Sequence, residues 1–264
     1  MTASRSAERV DTLSVIIITK NEERNIQECL ESVAWAGEIV LADSGSTDRT
    51  VEIAERHGAR VKRVEWEGFG LTKQRALESV SGEWALSIDA DERVTAELAR
   101  EIREAITRQD AAGYEIPRLT NFVGRWIRHS GWYPDPVLRL FRRERGRFSP
   151  AAVHESVILS GNCKRLKNHL LHYSYRSLED YIARMNRYTS LAARELFEKE
   201  APFSYWQPLL KPLAVATKRY FLKLGFLDGW AGAQIAILSA VYVFLKYAKL
   251  RQLERDPSLA ASIR

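Results

Sequence analysis

The residues with the clearest capacity for chemistry are Asp89 and Asp91, in the run Ile88-Asp-Ala-Asp-Glu92. The stretch before them, Trp84-Ala-Leu-Ser-Ile88, reads as a strand, so the two carboxylates leave its carboxyl end together, where open α/β sheets bind ligands. Hard divalent cations prefer oxygen donors, and Mg²⁺ or Mn²⁺ commonly pairs one or two carboxylates with substrate phosphates. A metal held there would neutralise the diphosphate of a nucleotide and stabilise it as a leaving group. Asp-x-Asp is also common in solvated loops; the buried strand in front of it favours the ligand reading.

A second acidic cluster, Ala42-Asp-Ser-Gly-Ser-Thr-Asp48, follows another short apolar run, Ile39 to Ala42. Asp43, at a strand end, can accept hydrogen bonds from a base or ribose. Gly45 permits a tight turn, and Asp48 reads as a helix cap. After the first apolar run, Leu13 to Ile18, comes Thr19-Lys-Asn-Glu22. It is neither a Gly-rich dinucleotide fingerprint nor a phosphate-binding P-loop. That removes the main support for a Rossmann oxidoreductase or an ATPase. Gly68-Phe-Gly70 is a fragment of a glycine motif and carries little weight.

These residues need a scaffold. The runs 13–18, 39–42, 60–64 and 84–88 read as strands, the first as one buried on both faces. Between them, helices are predicted from Asn21 (apolar at Ile26, Cys29, Leu30 and Val33), after Ser46–Asp48, over 72–80, and from Thr95. Strand–helix alternation with short connections predicts an α/β doubly wound sheet. From Gly113 to Tyr175 the chain turns aromatic, Arg-, Gly- and Pro-rich, with strand-like pieces at 137–141 and 153–159, read as the second half of the same sheet plus pocket loops. Ser177-Leu-Glu-Asp180 resembles a capping box and opens a long helix.

As an ordered set, the three N-terminal motifs resemble the donor half of glycosyltransferase family 2, an inverting group with the GT-A fold. They are Ser14 to Glu23, Ala42 to Asp48, and Gly82 to Glu92. The resemblance implies that Thr19 and Asn21 line the nucleotide pocket and Asp43 meets the base. It also implies that Asp89 and Asp91 meet ribose, diphosphate and metal. Lys73 would contact nucleotide or phosphate, against the plainer reading of a solvated helix face. Ser44 departs from the second Asp that many members carry. Further on, Asp135-Pro-Val-Leu-Arg-Leu-Phe-Arg142 and Ala152-Val-His-Glu155 are similar to bacterial lipopolysaccharide-core glucosyltransferases.

An inverting transfer needs one general base on the acceptor side. Glu155 is the first candidate and Asp135 the second. His154 is a candidate metal or phosphate contact, although it lacks the second His of a zinc protease. Arg139, Arg142 and Arg143 are candidates for acceptor phosphates, while His129, His169 and His172 read as structural. The expected fold is therefore a GT-A-type doubly wound mixed sheet with a C-terminal helical extension. The expected segments are a polar leader 1–12, a transferase domain 13–176 (donor half 13–110, acceptor half 111–176) and a helical region 177–264.

The expected reaction is transfer of a hexose from a UDP-sugar to an envelope glycan or glycolipid, with Mg²⁺ or Mn²⁺. The alternatives are a nucleotidyltransferase, which would carry a Gly-rich basic loop after strand one, and a non-catalytic membrane-bound scaffold, which would lose the site carboxylates. The net charge of +6 suits anionic lipid or a phosphate-bearing substrate, and no nucleic-acid motif accompanies it. Cys29 and Cys163 show no metal spacing and fit a reducing compartment. The first twelve residues lack the apolar stretch of a secretory signal, which predicts a cytoplasmic protein. From Gly229 to Leu245 the chain carries no charge, flanked on both sides by Lys and Arg. Those flanks, with Trp206, Tyr220, Trp230 and Tyr247, point to the inner-membrane surface rather than a crossing helix.

Overall fold

The computed structural model describes residues 9–150 and 156–262. The chain runs through β1 (Val10–Thr19), α1 (Ile26–Val33), β2 (Ala36–Asp43), α2 (Thr50–Arg56), β3 (Arg60–Arg63), α3 (Phe69–Leu77) and β4 (Trp84–Asp89). Next come β5 (Glu92–Val94), α4 (Ala96–Arg108), β6 (Gly113–Ile116), β7 (Arg118–Phe122), β8 (Arg125–Ile127) and β9 (Val137–Arg142). They are followed by β10 (Gly146–Phe148), β11 (Val157–Leu159), β12 (Cys163–Arg165) and β13 (Leu170–Tyr175). Three helices close the sequence: α5 (Leu178–Glu198), α6 (Gln207–Thr217) and α7 (Trp230–Arg255). The chain divides into two compact units, Met1–Arg118 with Asp135–His172, and Leu119–Pro134 with Tyr173–Arg264. The segment 119–134 goes with the second unit.

The first unit is built on a seven-stranded sheet of order β12-β6-β9-β4-β1-β2-β3. β1 pairs in parallel with β2 and β4, and β2 with β3, whereas β9 runs antiparallel to both β4 and β6. This is the mixed α/β sheet that the strand–helix alternation predicted. Both faces of β1 are covered, as its unbroken apolar run requires. Leu13, Val15 and Ile17 join one apolar cluster with Ile26, Leu30, Ile53, Leu98 and Ile102 from α1, α2 and α4. Ile16 points the other way, into a second cluster with Ala76, Leu77, Phe141 and Phe148. A side chain of this size contributes about 1.5–3 kcal/mol when fully buried.

α3 starts at Phe69, three residues earlier than predicted. The glycine at its N-cap, Gly68, adopts φ +93, so this glycine serves chain geometry. α4 is capped as read: the Thr95 hydroxyl accepts from the Leu98 amide at 3.1 Å. Of the middle segment, β6, β9 and β12 do complete the main sheet. β10 and β11 instead form a separate two-stranded ribbon, and β5 pairs antiparallel with β13 at Leu170–His172. Among the described residues the strand expected over 153–159 comprises Val157–Leu159.

In the second unit β7 and β8 form a hairpin whose two linking residues, Val123 and Gly124, have φ +48 and +84. Positive φ at both positions marks a type I′ turn, whose twist matches that of the strands. Phe122 and Ile127 pack with Ala231 and Ile235 of α7, and Trp132, Tyr175 and Tyr181 surround them. α5 begins at an N-cap, the Ser177 hydroxyl accepting from the Asp180 amide. Farther along, Ala193 of α5 packs with Tyr247, Leu250 and Leu253 of α7.

Candidate active site

β4 is central in the first unit's sheet and its carboxyl end delivers Asp89 beside the end of β1, with Ile18 opposite Asp89 in the ladder. This is the crevice edge where such sheets hold ligands. Asp89 is held by two cations. Lys73 Nζ lies 2.9 Å from one oxygen and Arg139 NH2 lies 2.5 Å from the other. The same guanidinium reaches Glu92 Oε1 at 2.8 Å, and Glu92 Oε2 accepts the Asp89 amide at 2.9 Å. Glu92 and Arg139 are buried, and Lys73 is 2% exposed. Burial alone would raise the Asp89 carboxyl, but Arg139 and Lys73 hold it well below the usual carboxylate range. Lys73 therefore sits inside the site and not on a solvated helix face.

Asp91, two residues on, has a different partner. His172 Nε2, from β13, lies 3.3 Å from Asp91 Oδ2. Burial pulls the His172 pKa down, yet the hydrogen bond and charge of Asp91 outweigh it and the net shift is upward. His172 was read from sequence as structural; the β5–β13 pairing, which sets His172 opposite Glu92, brings it to the acidic turn. Its signal in the sequence was only that of a lone His in an apolar strand. A carboxylate oxygen with an imidazole nitrogen suits first-row divalent ions. Two ligands at right angles, each about 2.1 Å from a cation, stand roughly 3 Å apart. The Asp91–His172 spacing is compatible with two ligands of one divalent ion, while among the described residues no group of three or more His, Cys, Asp or Glu side chains gathers to hold one. Asp89, with both oxygens on cations, fits that role less well than the sequence suggested.

The loops after β1 and β2 are built around each other. Asp43 is 2% exposed. Its carboxylate accepts from the Gly45 and Ser46 amides at 3.1 and 3.0 Å, from the Ser46 hydroxyl, and from Thr19 Oγ1 at 3.3 Å. It folds its own turn. Asn21, at φ +58, accepts from the Thr47 amide at 2.8 Å while its own amide donates to Ser46 Oγ at 2.9 Å. Asp48 accepts from the Glu23 and Thr50 amides, bracing the turn before α2, whose N-cap is Arg49 and not Asp48. Thr19, Asn21 and Asp43 are therefore brought together at the ends of β1 and β2. The buried Ser44 hydroxyl has no partner among the described residues.

Of the two base candidates, Glu155 lies outside the described residues, as does His154. Asp135 is half-exposed and ion-paired with Arg118, whose Nε donates to it at 3.0 Å. Arg118 also approaches Glu92 at 3.7 Å, so Asp135 connects to the Asp89 network through two intermediates. The arginines expected to hold acceptor phosphates are engaged within the protein. Arg139 is buried on Asp89 and Glu92. Arg142 pairs with Glu83 and covers the Trp84 ring, and Arg143 Nε donates to the Gly82 carbonyl. Strand parity alone could not reveal this, because the register that sets Arg142 opposite Trp84 comes from a strand more than fifty residues away. His129, also read as structural, pairs in the second unit with Asp228 at 3.1 Å.

Residues 14–163 match the family described as Glycosyl transferase family 2. The chain is 33% identical over 258 residues to the lipopolysaccharide core biosynthesis glycosyltransferase LpsC of Rhizobium meliloti, covering 91% of this chain and 92% of that one. It is 31% identical to an uncharacterized glycosyltransferase of Rickettsia typhi, covering 91% and 87%. Among solved structures it is similar to S. aureus TarS in complex with UDP, at 18% identity and TM-score 0.49, over 93% of this chain and 92% of that one. The full-length match, the mixed sheet and the acidic exit of β4 agree: this chain is a glycosyltransferase and belongs to glycosyl transferase family 2.

Proposed function

We propose that this transferase moves a hexose, with inversion, from a UDP-sugar to a lipopolysaccharide-core type glycan or glycolipid at the cytoplasmic surface of the inner membrane. The observation that carries the reading is the Asp91–His172 pair at the exit of β4, 3.3 Å apart, beside an Asp89 already neutralised by Lys73 and Arg139. The acceptor class is supported by what the Rhizobium meliloti relative is named for.

Asp91 and His172 would hold Mg²⁺ or Mn²⁺; when bound, the ion supplies positive charge to the diphosphate leaving group. The chain's own residues do the rest. Arg139 and Glu92 fix Asp89 so that it meets the ribose in one orientation, without rearrangement during the reaction. Lys73, anchored on Asp89, adds a second positive charge beside the phosphates. The Asp43 turn and Asn21 shape the floor for the base, with Thr19 beneath. A carboxylate on the acceptor side removes the hydroxyl proton as that oxygen attacks the anomeric carbon; Glu155 is the first candidate and Asp135 the second.

The test is transfer of labelled hexose from UDP-glucose, UDP-galactose or UDP-N-acetylglucosamine into envelope glycolipid extracted from a strain lacking this gene. Transfer with inverted anomeric configuration by NMR, lost at least about 100-fold in Asp91→Asn, is the expected result. A product of retained configuration would end the inverting mechanism. Loss of about 10²–10⁴-fold in Glu155→Gln, with Asp135→Asn little affected, assigns the base; the reverse pattern transfers the role to Asp135.

A further inference from the structure

The geometry points to the segment Tyr205–Trp230 as a lipid-docking surface that lays the second unit on an anionic bilayer without crossing it. This rests on the membrane-surface part of the reading above and deepens it by naming the contact. α6 exposes apolar side chains and buries none. Trp206, Leu210 and Leu213 fall at helical spacing on one stripe, and all three are exposed, Trp206 at 68%. In a globular helix such a stripe faces the core. The chain then passes through a π-helical turn, Lys218–Leu222, and a 3-10 turn, Gly225–Asp228. This connection presents Phe221, Leu222 and, at the start of α7, Trp230, the last two both 74% exposed. Large apolar side chains clustered within one short segment at such exposure mark an interaction surface.

The charge pattern selects the partner. From Ala201 to Leu253 the sequence contains one acidic residue, Asp228. It is buried, and it accepts from the Arg128 and His129 amides and from the Ser130 hydroxyl at 2.9–3.1 Å. Lys211, Lys218 and Lys223 are exposed among the apolar side chains. A surface of Trp, Leu and Phe studded with lysine and lacking carboxylates complements anionic headgroups over hydrocarbon. α7 is long and apolar enough to cross a membrane by length and composition, yet its uncharged part is short and part of it packs inside the unit. Its uncharged stretch, about 16 residues within the helix, spans roughly 24 Å against a core of about 30 Å. Its Ile235, Ala236, Tyr247, Leu250 and Leu253 are buried inside the unit.

The experiment is flotation of the full chain with phosphatidylglycerol–phosphatidylethanolamine vesicles and with phosphatidylcholine vesicles, alongside analytical ultracentrifugation without lipid. Wild type is expected to float with the anionic vesicles, and at least about tenfold less with phosphatidylcholine or in about 0.5 M salt. Lys218→Gln/Lys223→Gln should weaken partitioning about thirtyfold, two lysines each contributing about 1 kcal/mol. Trp206→Ser/Leu213→Ser should abolish flotation with an unchanged circular dichroism spectrum. Absence of wild-type flotation, flotation indifferent to these substitutions, or a lipid-independent dimer that Trp206→Ser/Leu213→Ser dissociates would overturn the inference. UDP-sugar hydrolysis in lipid-free solution, measured on the same proteins, separates the two readings. Hydrolysis without flotation removes the docking surface and leaves the transferase; flotation without hydrolysis does the reverse.

Discussion

Replacing Arg139 with Met tests how far the site is held by the buried cation that bridges Asp89 and Glu92. Arg139 is 4% exposed and its NH2 contacts Asp89 and Glu92 at 2.5 and 2.8 Å. Methionine keeps much of the volume but leaves Glu92, fully buried, without its closest cation. Removing one partner of a buried ion pair costs about 3–5 kcal/mol, because the remaining charge stays desolvated. For a chain of this size each kcal/mol shifts the transition by about 2–4 °C, so scanning calorimetry should show the first unit melting about 6–20 °C lower. The cost should shrink in Arg139→Met/Glu92→Gln, since neutralising the stranded carboxylate removes part of the penalty; a double-mutant cycle isolates that coupling. The wild-type pH response follows from the same network. The Asp89 carboxyl is depressed in the folded state, so its stabilisation is complete above the unfolded value near 3.8 and disappears as pH falls through the folded value. A melting shift under about 2 °C in Arg139→Met, with no coupling to Glu92, would refute this account of the site's rigidity.

Three further outcomes are expected. Glu38→Gln should destabilise the first unit by about 1–2 kcal/mol at neutral pH, because burial raises this carboxyl but the Ser81 amide, the Ser14 hydroxyl and Arg60 lower it further. Denaturant midpoints should show that difference closing as pH falls below about 4.5, since a depressed group contributes only above its unfolded value; a pH-independent difference would contradict it. Gly232→Ala should lower the melting temperature of the second unit, because an added Cβ would meet the Gly225 carbonyl at 1.8 Å, and such overpacking costs about 1–3 kcal/mol. Asp228→Ala should expose the Arg128 and His129 amides to hydrogen exchange, since they lose the acceptor that holds them; unchanged protection would show that the carboxylate is dispensable.

The part of the fold governed by local periodicity was legible in the sequence. β1, β2 and β4 announced themselves as apolar runs, and the Thr95 and Ser177 caps by residue type. The ordered motifs at 14–23, 42–48 and 82–92 located the carboxyl edge of the sheet. What stayed hidden depends on long-range register. Arg139 and Lys73 read from sequence as candidate phosphate contacts, and only the antiparallel entry of β9 and the packing of α3 bring both to Asp89. His172 becomes a partner of Asp91 only through the pairing of β13 with β5, almost eighty residues away. Asp43, a candidate ligand by residue type, also accepts from the amides of its own loop, which spacing alone did not show. Such assignments follow from which strand lies beside which, and short-range spacing does not encode that.

The central claim is that Asp91 with His172 ties a divalent ion to the diphosphate of the donor. Isothermal calorimetry of UDP binding, with Mn²⁺ and then with excess chelator, tests it most directly. Mn²⁺ is expected to tighten UDP binding in the wild type, and chelation, Asp91→Asn or His172→Ala each to remove the gain. UDP binding equally tight under chelation and in both variants would contradict it.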